Sequence, residues 1–487
     1  MLSLEEVKAY AGRYKIVPVS CSIYADVRTP VEVMRVLKAV STQCYLLESM
    51  EDTERWGRYT FLGYNPQMEL TCKNGRLHIN AGTDIEVETK DPASFMRQIL
   101  ADNTAPHIEG LPPFAGGLVG YISYDYISYV EPSLQLMAED DEEVPDLELF
   151  LFDKVIVFDH LKQIIILIAN VRLDGAEENY RKALLELDAM EQLIRHGKPA
   201  DAVPLQLRSR FQPMFSQEEY CAMVEAGKRH IQEGDVFQLV LSNRMEAEAE
   251  GSIFDVYRVL RTTNPSPYMF YLSGNHIEIA GSSPETLVRL QHGSLYTFPL
   301  AGTRPRGKTA AEDEALEQEL LHNDKELAEH NMLVDLGRND LGRISEFGSV
   351  HVESYLHILR FSHVMHLGST VRGTICQDKT AVDAVGAVLP AGTLSGAPKL
   401  RACQIIDELE GKKRGIYGGA IGYIDFTGNM DMCIGIRLAY KKDNRIFARS
   451  GAGIVADSVA EQEYQECRNK IQAVISAIQK ADGGIDT

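Results

Sequence analysis

The chain has 487 residues with 49 Lys and Arg against 70 Asp and Glu, a formal net charge of −21. At 45% hydrophobic and 24% charged it has the balance of a folded globular protein, which excludes a disordered or fibrous one. The acidic excess argues against nucleic-acid binding, which needs a basic footprint, and against docking on anionic membranes. A small anionic substrate stays open, since charges beyond roughly 8 Å are largely screened at physiological salt.

The N-terminus, M-L-S-L-E-E-V-K, lacks the basic start and apolar core of a signal peptide. In the first half, segments 44–48, 59–63, 150–152, 155–158 and 164–169 read as strands between turn residues. The most apolar region, 155–171, is broken by Asp159, His160 and Lys162, well short of the roughly 20 apolar residues a membrane span needs. The acidic stretch 138–146 reads as a solvated loop. Leu184, Leu187, Met190 and Ile194 set a helical period in 177–195. Residues 196–213 hold Pro199, Pro204 and Pro213 with little periodicity and read as a boundary linker. That gives a domain over 1–200 and a second over 210–487.

The second half opens on a helix capped by Ser216, with Glu219 completing a capping box. Strands and glycine turns follow to about residue 304. One long helix is expected over 312–341, further helices over 381–389 and 397–409, and strands over 418–425, 432–441 and 446–448. A last helix spans 460–479. There is no regular βαβ alternation, so the fold class is α+β. The eight cysteines form no C-x-x-C pair, which removes the common zinc spacings and leaves reduced thiols of a cytoplasmic protein as the expectation.

Several groups suit chemistry. Glu326, Glu329 and His330 share a helix face, as do Glu463, Glu466 and Lys470 on the last helix. Mg²⁺ takes one or two carboxylates and keeps waters and substrate oxygens, so two such helices suit it; the same spacing is common on solvated helix faces. The turns P-A-G-T-L-S-G-A-P-K (390–399), G-I-Y-G-G-A-I-G (415–422) and S-G-A-G (450–453) fit neither a P-loop nor a dinucleotide fingerprint. Their exposed N–H groups suit a carboxylate, and equally they serve as tight turns in a sheet. His366 lies in a strand-like run, where a lone histidine is more often structural. Arg437 is a charge in an apolar strand and must meet an anion, either a structural Asp or Glu or a substrate carboxylate.

Taken together, P-A-G-T-L-S-G-A-P-K, D-L-G-R-N-D-L-G-R and S-G-A-G-I-V-A-D-S with E-C-R-N-K resemble the chorismate-utilising enzymes, and within them the large subunits of anthranilate synthases. The resemblance covers essentially the whole chain and is strongest over 237–470. It implies two interwoven α+β domains with packed antiparallel sheets flanked by helices. It implies a carbon–oxygen lyase that turns chorismate and ammonia into anthranilate and pyruvate with Mg²⁺. By matching positions, Glu329 and Glu466 are the Mg²⁺ ligands with Glu326 and Glu463 behind them. Gly302, Thr303, Tyr417, Arg437, Gly451, Ala452, Gly453 and Lys470 hold the substrate carboxylates. Glu285 is the acid for the leaving hydroxyl, His366 serves the later proton loss, and Thr393 positions substrate. Ala301 stands where relatives that make isochorismate, salicylate or 4-amino-4-deoxychorismate typically carry a lysine, and this favours direct attack by ammonia.

Leu46-Leu47-Glu48-Ser49 and Asn264-Pro265-Ser266-Pro267-Tyr268-Met269 resemble the family's tryptophan feedback site. Glu48, Ser49, Pro267, Tyr268 and Met269 are its implied contacts, with the first segment expected as an edge strand. No cysteine lies in a G-x-C-x-G setting, so ammonia is expected from a separate glutamine amidotransferase subunit, two copies of each chain forming the assembly. The competing expectations are an aminodeoxychorismate or aminodeoxyisochorismate synthase, and a non-catalytic tryptophan-binding regulatory subunit.

Overall fold

The structure, a computed structural model, describes residues 1–49, 57–200, 203–360 and 364–486, with Thr303 and Val364 described by their backbones alone. Its strands form two large antiparallel sheets. The first runs Ile16–Tyr24, Ile164–Arg172, Lys154–Asp159, Tyr59–Tyr64, Cys44–Glu48, Tyr268–Ser273, Ile277–Ser283, Leu438–Lys442, Arg445–Ile454, Gln238–Glu250 and Gln206–Leu207. The second runs Leu300–Pro305, Val364–Thr374, Ser294–Thr297, Thr286–Gln291, Met430–Ile434, Ala420–Asp425, Gly117–Ile122, Leu147–Phe152, Met68–Lys73, Arg76–Asn80 and Asp84–Glu88. Each sheet mixes strands from both ends of the chain. Met269 faces Glu48 across the join in the first sheet, and Ala420 faces Ile122 across the join in the second.

Side-chain alternation explains the layering. In Lys154–Asp159, Val155 and Val157 point into an aromatic core with Phe61, Phe114, Phe150 and Tyr423, while Ile156 and Phe158 point the other way onto the helical layer. Ile164–Arg172 alternates likewise, with Ile166 and Ile168 in the aromatic core and Ile165, Leu167 and Val171 under helices. Strands buried on both faces read as continuous apolar runs, which is why 155–171 is the most apolar region of the chain. The aromatic core draws on both sheets, Tyr45 meeting Phe152 at 4.7 Å between centroids and Phe114 meeting Tyr423 at 4.5 Å. Helices cover the outer faces, among them Ala176–His196 and Ala460–Ala481 over the first sheet and Ala381–Val388 and Asp324–Gly342 over the second. The fold is therefore α+β, with packed antiparallel sheets flanked by helices.

Five local expectations need correction. Cys44–Glu48 is an interior strand, bonded to Tyr59–Tyr64 on one side and Tyr268–Ser273 on the other, and it joins the two halves. The long helix is two, Ala310–Leu321 and Asp324–Gly342, because the Asn323 side chain accepts the Glu326 N–H at 3.1 Å and starts a new helix. The strand expected over 432–441 is also two, Met430–Ile434 and Leu438–Lys442, in different sheets. The acidic stretch is not a solvated loop: Glu142 and Asp146 are buried, Glu142 against Arg244 at 2.6 Å and Asp146 accepting from the Tyr129 hydroxyl at 2.6 Å. The proline-rich stretch after residue 196 is not free of structure, since Gln206–Leu207 and Gln212–Pro213 both pair with Gln238–Glu250.

Candidate active site

Two antiparallel segments cross between the sheets side by side, one from the first to the second and the other back again. One passes from Ile277–Ser283 through Pro284 and Glu285 into Thr286–Gln291; the other passes from Met430–Ile434 through Gly435, Ile436 and Arg437 into Leu438–Lys442. Backbone bonds lock the crossings together: Ser282 N–H to Arg437 O at 3.1 Å and Ile434 N–H to Glu285 O at 3.0 Å. The Gly415–Gly419 turn carrying Tyr417 ties into the same place, with Gly418 N–H to Gly435 O and Gly435 N–H to Gly419 O both at 2.8 Å. Change of sheet forces a break in the β conformation. Arg437 takes φ +50°, a region that costs non-glycine residues of order 1–3 kcal/mol and concentrates at functional sites.

The seam brings Glu285 and Arg437 together. Burial pushes the Glu285 carboxyl up to about 7, against the Thr393 hydroxyl, which donates to it at 3.0 Å, and the positive charges of Arg437 and Lys470. Among the described residues no carboxylate lies within ion-pair distance of the Arg437 guanidinium; burial disfavours its charge, and Glu285 is the group that favours it. A cavity of about 40 Å³ lies against Glu285 and Thr393 and is lined also by Asp340 and Gly337. Asp340, from the D-L-G-R-N-D-L-G-R motif, pairs at 2.8 Å with Lys399, from P-A-G-T-L-S-G-A-P-K, so a buried ion pair joins the two sequence motifs.

The Leu300–Pro305 strand supplies a second wall. Its pairing with Val364–Thr374 slips between Ala301 and Thr303, where Gly302 takes φ +62°, and a Cβ there would meet Glu326 Oε2 at 3.0 Å. The slip leaves the Gly302 carbonyl to accept from His366 Nδ1 at 2.9 Å. Nδ1 is therefore the protonated nitrogen of a neutral ring, and burial, with Arg437, holds the His366 pKa below its usual value. Ala301 is buried beside this bulge. The Thr303 side chain lies outside the described residues, although its backbone pairs with His366. Glu326 is bound by Arg304 at 3.1 Å. His330 does not share the Glu326–Glu329 face as expected: it is fully buried, and its Nε2 lies 2.6 Å from Ser369 Oγ.

The predicted metal ligands stand on two helices. Burial raises the Glu329 pKa, and the charges of Glu326 and Glu466 add to the rise. Glu463 is raised by burial and by Glu466, while its Ser458 contact works the other way. Solvent reaches Glu329 and Glu466, and Lys470 pairs with Glu466 at 2.7 Å. These mutually repelling carboxylates on an open face suit a hard divalent cation, which takes few protein oxygens and keeps waters. They are not a closed cage: among the described residues, the group of three or more His, Cys, Asp and Glu side chains gathered within 4.8 Å of one another is His230, Glu233 and Asp235 instead.

Lys470 also donates to Gly451 O at 3.3 Å. Gly451, Ala452 and Gly453 lie on Arg445–Ile454, opposite Ser242, Leu241 and Val240. A Cβ on Gly451 would meet Tyr417 Oη at 3.0 Å, so the glycine lets the phenol approach the strand. Tyr417 itself is buried, and burial raises its pKa.

The predicted inhibitor residues gather elsewhere. Glu48, Ser49, Pro267, Tyr268 and Met269 all line one cavity of about 370 Å³, together with Arg58, Tyr59, His107, Tyr423 and Asp431. Glu48 is buried and accepts from Arg261 Nε at 2.6 Å and from the Tyr257 hydroxyl. The Tyr268 hydroxyl lies 2.8 Å from Thr286 Oγ1, next in sequence to Glu285. Sequence reasoning missed Asp340, Arg304 and Arg261; each is one half of an ion pair whose other half lies far along the chain, so no local spacing marks it.

A profile of the family described as chorismate binding enzyme matches residues 42–476. The chain belongs to the chorismate-binding enzymes. Anthranilate synthase component 1 of Acetivibrio thermocellus is 46% identical over 489 residues, covering 98% of this chain and 98% of the relative. Anthranilate synthase component 1 of Aquifex aeolicus is 43% identical, with 99% and 98% covered. Among solved structures, anthranilate synthase component I from Streptococcus pneumoniae superposes with a TM-score of 0.75 at 38% identity, covering 93% of this chain and 98% of that one. The menaquinone-specific isochorismate synthase of Escherichia coli, at 19% identity and a TM-score of 0.69, shares the fold of this chorismate-binding chain. Among the described residues no helix is long and apolar enough to cross a membrane.

Proposed function

We propose that the chain is the large component of an anthranilate synthase, converting chorismate and ammonia to anthranilate and pyruvate. The observation that carries this reading is the seam: a carboxyl poised near 7 beside a guanidinium with no carboxylate within ion-pair reach among the described residues. A dianionic substrate supplies the missing anion. Arg437, Lys470, Tyr417 and the N–H groups around Gly451–Gly453 hold its carboxylates.

Ammonia adds at ring C2 and hydroxide leaves from C4. Hydroxide is a poor leaving group, so protonated Glu285 gives it a proton and water departs. Thr393 holds the Glu285 carboxyl in place. In the second stage the C2 proton is lost, the C3–O bond breaks to expel the side chain as the enol of pyruvate, and the ring becomes aromatic. His366 takes that proton on Nε2, the unprotonated nitrogen of a ring whose Nδ1 is held by Gly302. Ala301 offers no base to water, in keeping with amination rather than hydration at C2.

Mg²⁺ would be held by Glu329 and Glu466 with Glu326 and Glu463 behind them; when bound it supplies positive charge at the ring carboxylate. A glutamine amidotransferase partner supplies ammonia in a cytoplasmic assembly of two copies of each chain. Tryptophan fits the 370 Å³ cavity between the halves, where aromatic and charged groups suit a zwitterion with a ring. The Tyr268–Thr286 contact lies beside the catalytic acid and offers a physical route for inhibition.

The test is the purified chain with chorismate, Mg²⁺ and an ammonium salt, followed by anthranilate fluorescence and pyruvate release. Isochorismate or an aminodeoxychorismate as the end product contradicts the reading, as does synthesis from glutamine without a partner.

A further inference from the structure

Glu410 ends the Lys399–Glu410 helix and Arg414 lies four residues on; they are 3% and 1% exposed. Neither belongs to the seam. Arg414 reaches Glu410 twice, through Nε at 3.0 Å and Nη2 at 2.5 Å. Its other donors go to backbone carbonyls: Nη1 to Leu394 O at 2.6 Å and Nη2 to Val240 O at 2.7 Å. The Glu410 carboxylate accepts in turn from Ser242 N–H at 2.7 Å and from Ser242 Oγ at 3.0 Å.

Those contacts fall on three segments around the site. Leu394 follows Thr393, which holds Glu285. Val240 and Ser242 are the ladder partners of Gly453 and Gly451. Arg414 leads directly into the turn that carries Tyr417, and Gly415 N–H is pinned by Asp125 at 2.7 Å. A planar guanidinium with five fixed donors fits acceptors on separate segments at once, which a lysine cannot do. A buried ion pair is weak evidence for stability, since apolar replacements of similar volume often fold as well or better. Its distinctive property here is geometric.

We propose that the Glu410–Arg414 pair is a positioning device for the reaction, holding the Thr393 loop, the Gly451–Gly453 strand and the Tyr417 turn in one register around the substrate. The assignment rests on the activity proposed above for the meaning of those three segments, while the mechanical link between them does not depend on it.

The test compares the wild-type chain with Glu410→Leu/Arg414→Met and with Arg414→Lys, reading ammonia-dependent turnover, thermal unfolding, and hydrogen exchange over 391–397, 415–419 and 450–455. The double variant takes their partners from the Ser242 N–H and the Leu394 and Val240 carbonyls, so it is expected to unfold at a lower temperature than wild type yet stay folded at the assay temperature. Its kcat falls about 100-fold, the scale of a 1 Å misplacement remote from the chemistry, and exchange rises in all three segments together. Arg414→Lys, keeping the charge but not the planar fork of donors, recovers part of both. A folded double variant with wild-type kcat, or one that loses turnover while exchange stays unchanged in the three segments, overturns the proposal. If the double variant does not fold, Arg414→Lys is read alone, and wild-type turnover with wild-type exchange overturns it. A wild-type chain that makes no anthranilate refutes the activity instead, and exchange then decides the positioning.

Discussion

The chain crosses between its sheets in two places that look alike, and only one has the makings of a reaction centre. In the first half, Tyr59–Tyr64 passes into Met68–Lys73 and Leu147–Phe152 passes into Lys154–Asp159; in the second half the crossings are at Glu285 and Arg437. Each seam holds a residue at positive φ, Asn65 at +48° and Arg437 at +50°, and each holds a carboxyl raised by burial, Asp153 and Glu285. The difference lies in the cations. Beside Asp153, Lys154 is already paired with Glu186 at 2.9 Å, so that seam is closed in charge. Beside Glu285, Arg437 has no carboxylate within ion-pair distance among the described residues. Asparagine also tolerates positive φ readily, whereas arginine there carries strain that the surrounding bonds must hold. Topology places a carboxyl at both seams; the unbalanced guanidinium makes one of them a place for an anion.

Breaking the acids should separate the seams most strongly. Glu285→Gln is expected to cost about 10²- to 10⁴-fold in kcat, the usual worth of a positioned general acid. Asp153→Asn should leave turnover within a few-fold of wild type, and parallel steady-state assays of the two variants check this. Next in size is Arg437→Met, which removes the open cation. It should lower kcat/KM for chorismate by about 2–5 kcal/mol, the cost of truncating one partner of a buried charge pair, and an unchanged kcat/KM for chorismate would contradict the role.

Thr393→Val sharpens the account at the acid itself. The hydroxyl stabilises the ionised carboxyl, so its loss raises the Glu285 pKa and moves the alkaline limb of kcat/KM to higher pH. A hydrogen bond to a charged group is worth about 1.5–3 kcal/mol, an upper bound on that shift. Rates must be compared at fixed free NH₃, since its concentration also rises with pH. The smallest expected effect lies in the other cavity. Ser49→Phe should relieve tryptophan inhibition, a coupling of about 1–3 kcal/mol, with turnover near wild type; undiminished inhibition would move tryptophan out of the 370 Å³ cavity.

Much of this was legible in the sequence where local rules suffice. The Ser216 capping box forms as read, with Ser216 and Glu219 bonding each other's backbone. The last helix keeps its two stripes, Glu463 and Glu466 outward and Cys467, Ile471, Val474 and Ile478 inward. What failed was non-local. An apolar run through 432–441 gives no sign that its two ends belong to different sheets. An acidic stretch looks solvated until Arg244 and Arg449 are found buried against Glu142 at 2.6 and 3.4 Å. His330 has a helical spacing that fits the carboxylate face, but Ser369 lies on the other side. Motif resemblance supplied the candidate site residues; the seam that gathers Glu285, Arg437 and the Tyr417 turn is a property of the two sheets.

The most direct test of the seam as a reaction centre is the pH dependence of kcat/KM for chorismate at fixed free NH₃, in wild type and in Glu285→Gln. With Glu285 as a carboxylic acid of pKa about 7, wild-type activity falls as pH rises through that value, and the residual activity of the glutamine variant shows no such limb. The same limb in both proteins would place the acid elsewhere and contradict the account.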